Sequence, residues 1–370
     1  MISSLIRAYN IEDIVKKLGN LKQVSAGHSH TIFLLNDGTC KAIGNNGYGQ
    51  LGDGTTIDRG TPVTVQDISN CVGISAGFYH TVFLLNDGTC KAVGDNKYGQ
   101  LGDGTTTNRS TPVTVQDINN CIGIYAGDYH TVFLLSDGTC KAVGGNTYGH
   151  LGDGTRINKS TPVTVQDINN CIGISICYTH TVFLLSDGTC KAVGNNDYGQ
   201  LGDGTRIDRI TPVTLPGINN CIGISVGYTY TVFLLNDGTC KAVGDNKYGQ
   251  LGDGTTTIRN TLVMVQGINN CIGIYSGDYH TVFLLNDGTC KAVGRNVSGQ
   301  LGDGTRTDKS ISVTVQDINN CIDISVSNYH TVFLLSDGTC KAVGGNGYGE
   351  LGDGTTVDKS IPVFVLDANS

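Results

Sequence analysis

The chain has 370 residues, a formal net charge of −8 and only 15% charged side chains, with lysine and arginine scattered singly. That balance argues against a nucleic-acid binder, which would carry a basic stripe, and the lack of charge blocks argues against disorder despite 53 glycines. No apolar run approaches the roughly 20 residues of a membrane span, so no membrane partner is expected.

Residues 1–19 read as a short helical leader. Asn10 can cap it, Glu12 and Asp13 suit its positive end, and Lys16 and Lys17 suit the other. Ile11, Ile14, Val15 and Leu18 give it one apolar face, and Gly19 stops it. The leading reading is a plug against the rest of the chain; a partner-binding helix is the alternative. The start, Met1-Ile-Ser-Ser-Leu-Ile-Arg7, lacks the basic region and apolar core of a signal peptide, so a cytoplasmic location is expected, with signal-less export as the alternative.

From residue 20 to 370 the chain is one domain of seven 50-residue units. Leu51-Gly-Asp-Gly-Thr55 returns from Leu101, Leu151, Leu201, Leu251, Leu301 and Leu351. Each unit buries its apolar face only against its neighbours, so the usual domain count from length does not apply.

The third unit shows the pattern. Ile122-Gly-Ile-Tyr125 reads as a strand, Ala126–Tyr129 as a turn and His130–Leu135 as a β-branched and aromatic strand. Ser136-Asp-Gly138 reads as a hairpin built on a two-residue turn, because Asp-Gly supplies the positive φ angles such a turn wants. Thr139–Val143 is the return strand, with Lys141 pointing outward. A glycine-rich loop runs from Gly144 to Thr155, and Val163-Thr-Val165 is a fourth strand entered through Pro162. Four short strands per 50 residues make a propeller blade. Kelch blades share the period but need a regular Gly-Gly and a tryptophan, and WD blades are shorter; this chain has no tryptophan.

Gly127, His130, Thr131, Leu134, Asp137, Gly138, Gly144, Asn146, Gly149, Leu151, Gly152 and Gly154 carry a specific pattern, with His150 in place of a glutamine. It resembles the regulator of chromosome condensation repeat, and the resemblance covers residues 21–370. It implies an all-β, seven-bladed propeller. Gln23–Ala26 and Ile361–Val365 would each expose an edge if left alone. The expectation is therefore a ring closed by pairing these N- and C-terminal strands in one shared blade; blades completed within their own units are the alternative.

The fourteen cysteines fall into a series of seven (Cys40 to Cys340), a series of six (Cys71 to Cys321) and the isolated Cys177. Leu21 stands where the second series would begin, so the two series are unequal. Free, buried thiols are the leading reading and cross-linked pairs the alternative.

The histidines His30, His80, His130, His180, His280 and His330, with Tyr230 at the seventh place, start strands on different blades. A hydrogen-bonding role suits them better than a metal, whose ligands must meet at one ion. The aspartates of the Gly-Asp-Gly-Thr loops stand one per loop, which favours turn chemistry over calcium. Cys177 has no base of its own, and no phosphate loop is present. No cofactor, no metal and no catalytic set are expected.

The turn before each histidine is where the units differ. It carries Phe78, Tyr79, Asp128, Tyr129, Tyr178, Tyr228, Asp278, Tyr279, Asn328 and Tyr329. Equivalent turns of a propeller share one face, and tyrosines with aspartates suit a protein-binding surface. The competing reading is that each tyrosine packs on its own blade. A second series, Tyr48 to Tyr348, is more regular and reads as framework. The departures thicken between Ile258 and Asn328. The expected function is a monomeric, non-enzymatic scaffold that binds a protein partner. The resemblance adds an alternative, nucleotide exchange on a small GTPase. Against it, the strict period leaves no room for an inserted wedge, and the family's basic chromatin-binding tail is missing.

Overall fold

The computed structural model describes residues 21–365. The leader expected over 1–19 lies outside them. The described residues form 28 strands, β1 to β28 in chain order, and each unit makes one four-stranded antiparallel sheet. Residues from all seven units meet around one axial cavity, so the sheets are the blades of a ring.

In the third blade the strands are Cys121–Ala126, His130–Leu135, Cys140–Gly144 and Lys159–Thr164. The second strand has the predicted bounds. Both its faces are apolar because it lies between two neighbouring blades. Val132 and Leu134 pack toward Phe183 and Val193 of the fourth blade, while Phe133 packs on Val82 and Leu84 of the second. Six such clusters fill the junctions between successive blades.

Two local readings need correction. The hairpin is a three-residue connection: Gly138 N–H donates to Leu135 O and Leu135 N–H to Thr139 O. Only Gly138, at φ +77°, is left-handed, which makes this a turn with a glycine bulge rather than a two-residue turn. Pro162 lies inside the fourth strand rather than before it. It is tolerated there because this is an edge strand and its pairing is irregular between Ala142 and Gly144.

Ring closure also differs from expectation. β1 (Leu21–Ala26) pairs with β2 (His30–Leu35), and β28 (Lys359–Phe364) pairs with β27 (Cys340–Gly344). Among the described residues no blade is shared between the first and last units. Residues 21–26 already supply the strand that 71–76 supply to the second blade, so the first unit is complete without help. The first and last blades instead present apolar faces at the positions used elsewhere between blades, Phe33 and Ile43 on one and Val332, Ala342 and Leu351 on the other. Every blade keeps a fourth-strand edge, short and mostly proline-bearing, which limits stray pairing.

Candidate functional site

The turns between first and second strands are fixed from below by the histidines. Gly127 N–H donates to His130 O at 2.8 Å, and the bond recurs at Gly27, Gly77 and Gly277. The His30 ring nitrogen Nε2 lies 2.9 Å from Thr81 Oγ1 of the next blade. Thr81 spends its own hydrogen on Gln50 O at 2.9 Å, so the imidazole must donate. Equivalent bonds link His80 to Thr131, His130 to Thr181, His180 to Thr231 and His280 to Thr331. Tyr230 reaches across in another way, its hydroxyl donating to His280 O at 2.7 Å. This is the structural role expected of the series. Burial holds these imidazoles neutral, pushing His30 down to about 3 and His80 to about 4.

With Nε2 protonated, Nδ1 is an acceptor. In His30, His80, His130 and His280 it is buried with no hydrogen-bond partner. The residue three places earlier is glycine in each. In the fourth blade that residue is Cys177, whose sulfur lies 3.1 Å from His180 Nδ1, and in the seventh it is Ser327, whose hydroxyl lies 2.8 Å from His330 Nδ1. Burial pushes the Cys177 thiol up to about 12, so it stays protonated and donates to the ring. That makes it a hydrogen-bond donor and a poor nucleophile.

Above this layer opens the axial cavity, of about 560 Å³, lined among others by Phe78, Asp128, Tyr228, Asp278, Asn328 and Tyr329. The remaining residues singled out in the sequence stand in an aromatic belt at its rim. Phe78 meets Tyr79 edge-on at 4.5 Å, Tyr129 meets Tyr178 at 5.6 Å, and Tyr178 stacks on Tyr228 at 6.2 Å, which in turn meets Tyr279. All ten therefore gather at one end of the ring. The tyrosines do not rest on their own blades. Tyr129 packs against Tyr98 of the preceding blade at 5.3 Å, and Tyr79 against Tyr48 at 4.9 Å.

The second tyrosine series thus belongs to the same surface, and its reading as framework is corrected. Tyr48 and Tyr198 are each 40% exposed and Tyr348 is 77% exposed. The backbone of that position is held alike in most units, Tyr98 N–H donating to Gln100 Oε1, and Ser298 makes the same bond without a ring. Exposure of the ring carries no sequence signal.

Two carboxylates turn into the cavity, and neither Asp128 nor Asp278 has a side-chain hydrogen bond among the described residues. Burial, and then the charge of Asp278, pushes Asp128 up to about 7. Burial pushes Asp278 up to about 6, against the pull of the Arg295 guanidinium. Arg295 lies over three rings, Tyr248, Tyr279 and Tyr329, at 5.3, 5.7 and 5.3 Å. In the four other units that carry the glutamine, this position holds its acceptor, as where Gln100 Nε2 donates to Asp95 at 2.8 Å. Arginine cannot accept, and Gln300 Nε2 is left buried without a partner. In the sequence Arg295 is one of the departures between Ile258 and Asn328; its place at the junction of three tyrosines shows in the structure alone.

The Gly-Asp-Gly-Thr carboxylates are structural. Asp103 Oδ1 accepts from Thr105 and Asn96, and Oδ2 from Arg109. Burial works to raise its pKa, and the bonds from Thr105, Arg109 and Asn96 outweigh burial and lower it.

Comparison with known proteins places this geometry. The RCC1-like domain model matches residues 11–262, and the regulator of chromosome condensation (RCC1) repeat matches 271–300 and 321–350. Among solved structures, human WBSCR16 superposes with a TM-score of 0.73 at 22% identity, over 85% of this chain and 87% of that one. Yeast RCC1 (Prp20), in a structure with Kap60 bound, gives 0.74 at 17% identity over 98% and 88%. Prp20p from Saccharomyces cerevisiae, in a structure described together with its binding properties to Gsp1p and histones, gives 0.73 at 18% identity over 98% and 91%. At these identities the likeness is one of fold. A search of curated proteins gave no match.

Proposed function

Because the chain belongs to the RCC1 repeat family of β-propellers, we propose that it is a non-enzymatic, monomeric interaction module that holds a protein partner against its axial aromatic face. One observation carries this reading. A belt of cross-packed tyrosines borders a cavity holding two carboxylates that have no side-chain hydrogen bond among the described residues. Tyrosines held in place by neighbouring rings give up little side-chain freedom on binding, which suits them to dominate an interface. Asp128 and Asp278 favour a partner that projects a lysine or arginine into the cavity, since an incoming cation restores the charge that burial suppresses. The net charge of −8 favours a basic protein surface over nucleic acid. A reducing cytoplasm, which keeps fourteen cysteines as thiols, is part of the same reading.

The test is a double variant, Tyr129→Ala with Tyr279→Ala. Partners recovered on the parent chain should fall at least tenfold on the variant, while its unfolding midpoint stays within a degree or two. Each ring at the centre of an interface is worth about 2 kcal/mol or more, so the loss should be unambiguous. Unaltered recovery, or collapse of the fold, would remove the binding face.

A second reading is regulation of a small GTPase. It is favoured by the likeness to Prp20p, described with its binding to Gsp1p. Release of a fluorescent guanine nucleotide from a panel of small GTPases tests it: acceleration at micromolar propeller supports exchange, and unaltered release ends this reading. Against it, all described strands belong to blades and no element projects from the ring among the described residues.

A further inference from the structure

The two cysteine series, unequal in the sequence, meet across the blade junctions. Cys40 of the first blade and Cys71 of the second share one buried cluster, where each thiol shifts the titration of the other. The same contact recurs at intervals of 50 residues through to Cys290 and Cys321, giving six pairs that bridge the seven blades. All of these thiols are reduced.

Backbone bonds, rather than chance rotamers, set this approach. The N–H of Cys71 donates to Gly38 O at 3.0 Å, so the hairpin glycine two residues before Cys40 clips the start of the next blade's first strand. The clip repeats from Cys121 to Gly88 and on to Cys321 and Gly288, each at 3.0 Å for these two. Within each pair the members differ. The Cys71 thiol points its hydrogen at Gly73 O, 3.2 Å away, which leaves its lone pairs toward Cys40. Contact with Cys40 holds Cys71 below the usual thiol range, while the reverse contact and burial push Cys40 up. Packing alone would be satisfied by any small apolar residue and would not require two thiols in contact at every junction.

We propose that these six pairs are oxidation sites, and that a low-molecular-weight disulfide such as oxidised glutathione converts them into covalent links between successive blades. The Cys71 thiolate attacks one sulfur of the small disulfide and expels a small thiolate, leaving a mixed disulfide on Cys71. Cys40 gives up its proton to the departing thiolate, and its sulfur then attacks Cys71 Sγ and expels the second small thiolate, which takes the proton Cys71 lost. Each event oxidises two cysteine thiols and reduces one small disulfide to two thiols. Fully oxidised, the propeller is a chain of blades sewn at six junctions, a state suited to an oxidising compartment; reduced, it is held by packing and by the hydrogen bonds that cross each junction. The aromatic face has no part in this chemistry, so loss of partner binding and failure of cross-linking are read separately; in a reducing cytoplasm the pairs stay thiols until an oxidant arrives.

The experiment uses the full-length reduced chain, incubated with oxidised glutathione in guanidinium below the unfolding midpoint so that the junctions open transiently. Thiol titration should show twelve of fourteen thiols lost, and non-reducing peptide mapping should find Cys40–Cys71 through Cys290–Cys321. The oxidised chain should unfold at higher guanidinium, and dithiothreitol should reverse this. With Cys121→Ser the loss should fall to ten thiols, Cys90 staying reduced. Retention of all thiols, glutathione adducts without internal links, pairing within one series, or a new partner for Cys90 would each overturn the proposal.

Discussion

Lowering the pH from 7 to 5 should destabilise this propeller by several kcal/mol, read as a fall in the guanidinium midpoint. Six buried imidazoles set the effect. Burial pushes His30, His180 and His280 down to about 3 and His80 and His150 to about 4, and it holds His130 well below its ordinary value, with neighbouring histidines adding to the shift in some. The unfolded chain titrates them near 6.5. Above that pH both states are neutral and stability is full. Below it the unfolded state takes protons that the folded state refuses, so stability drops until the pH reaches the folded values near 3 to 4. Each group contributes at most about 1.4 kcal/mol per pH unit. Asp128 and Asp278 act in the opposite sense, because their raised values give stability at low pH that is lost as pH rises through about 7 and about 6. Two groups cannot offset six. His80→Gln keeps an N–H donor toward Thr131 but does not titrate, so it should flatten the pH dependence by one proton. An unaltered midpoint between pH 7 and 5 would show that the histidines protonate without opening the junctions.

The same junctions show what a sequence exposes and what it conceals. His130–Leu135 was readable to the residue because an apolar strand between two blades leaves its imprint on every position. The edge strand was placed late because Pro162 looks like a boundary, and only pairing reveals that it sits where no ladder bond is needed. Ring closure was misread for a deeper reason. A run of near-identical units has no privileged starting point, so periodicity cannot say whether Leu21 opens a blade or completes one; hydrogen-bond partners decide it. The thiol pairs escaped notice because the partner of Cys40 lies 31 positions on, in the next unit, and the unequal series concealed the offset. The turns proposed as a binding face were legible as the variable positions of a repeating frame. The exposed tyrosines of the second series were not, since a regular residue looks the same from sequence whether its backbone or its ring is the fixed part.

The frame itself should fail at one side chain per unit. Asn146→Ala is expected to cost roughly 3–5 kcal/mol, among the largest losses available to a polar residue here. Asn146 is fully buried. Its amide nitrogen donates to Asp153 Oδ1 at 3.1 Å, Thr155 O at 3.1 Å and Ile157 O at 3.2 Å, and its oxygen accepts from Leu151 N–H at 3.0 Å. It thus stands in for secondary structure across the whole glycine-rich loop. Removing it takes the partner from the buried Leu151 N–H and from two part-buried carbonyls, at about 1–3 kcal/mol for each group left unsatisfied. Asn146→Asp should be no better. It keeps the acceptor for Leu151 but sets a carboxylate against Asp153 and two carbonyl oxygens, all of which then repel. The fifth unit shows what the loop can lose. Asn146 N–H also donates to Asn158 Oδ1, and the equivalent bond is missing at Asn246, where Ile258 offers no acceptor. The Asn246 amide also lacks a bond to the Thr257 carbonyl, so the same substitution there should cost less than at Asn146. Thr147→Ala, at the exposed neighbour, should change stability by less than about 0.5 kcal/mol. Because the loop carries Tyr148 against Tyr178, the damage should reach the aromatic face as well. Guanidinium unfolding of the three Asn variants beside Thr147→Ala decides the matter: a loss under 1 kcal/mol for Asn146→Ala would mean that the glycines, not the asparagine, hold the loop.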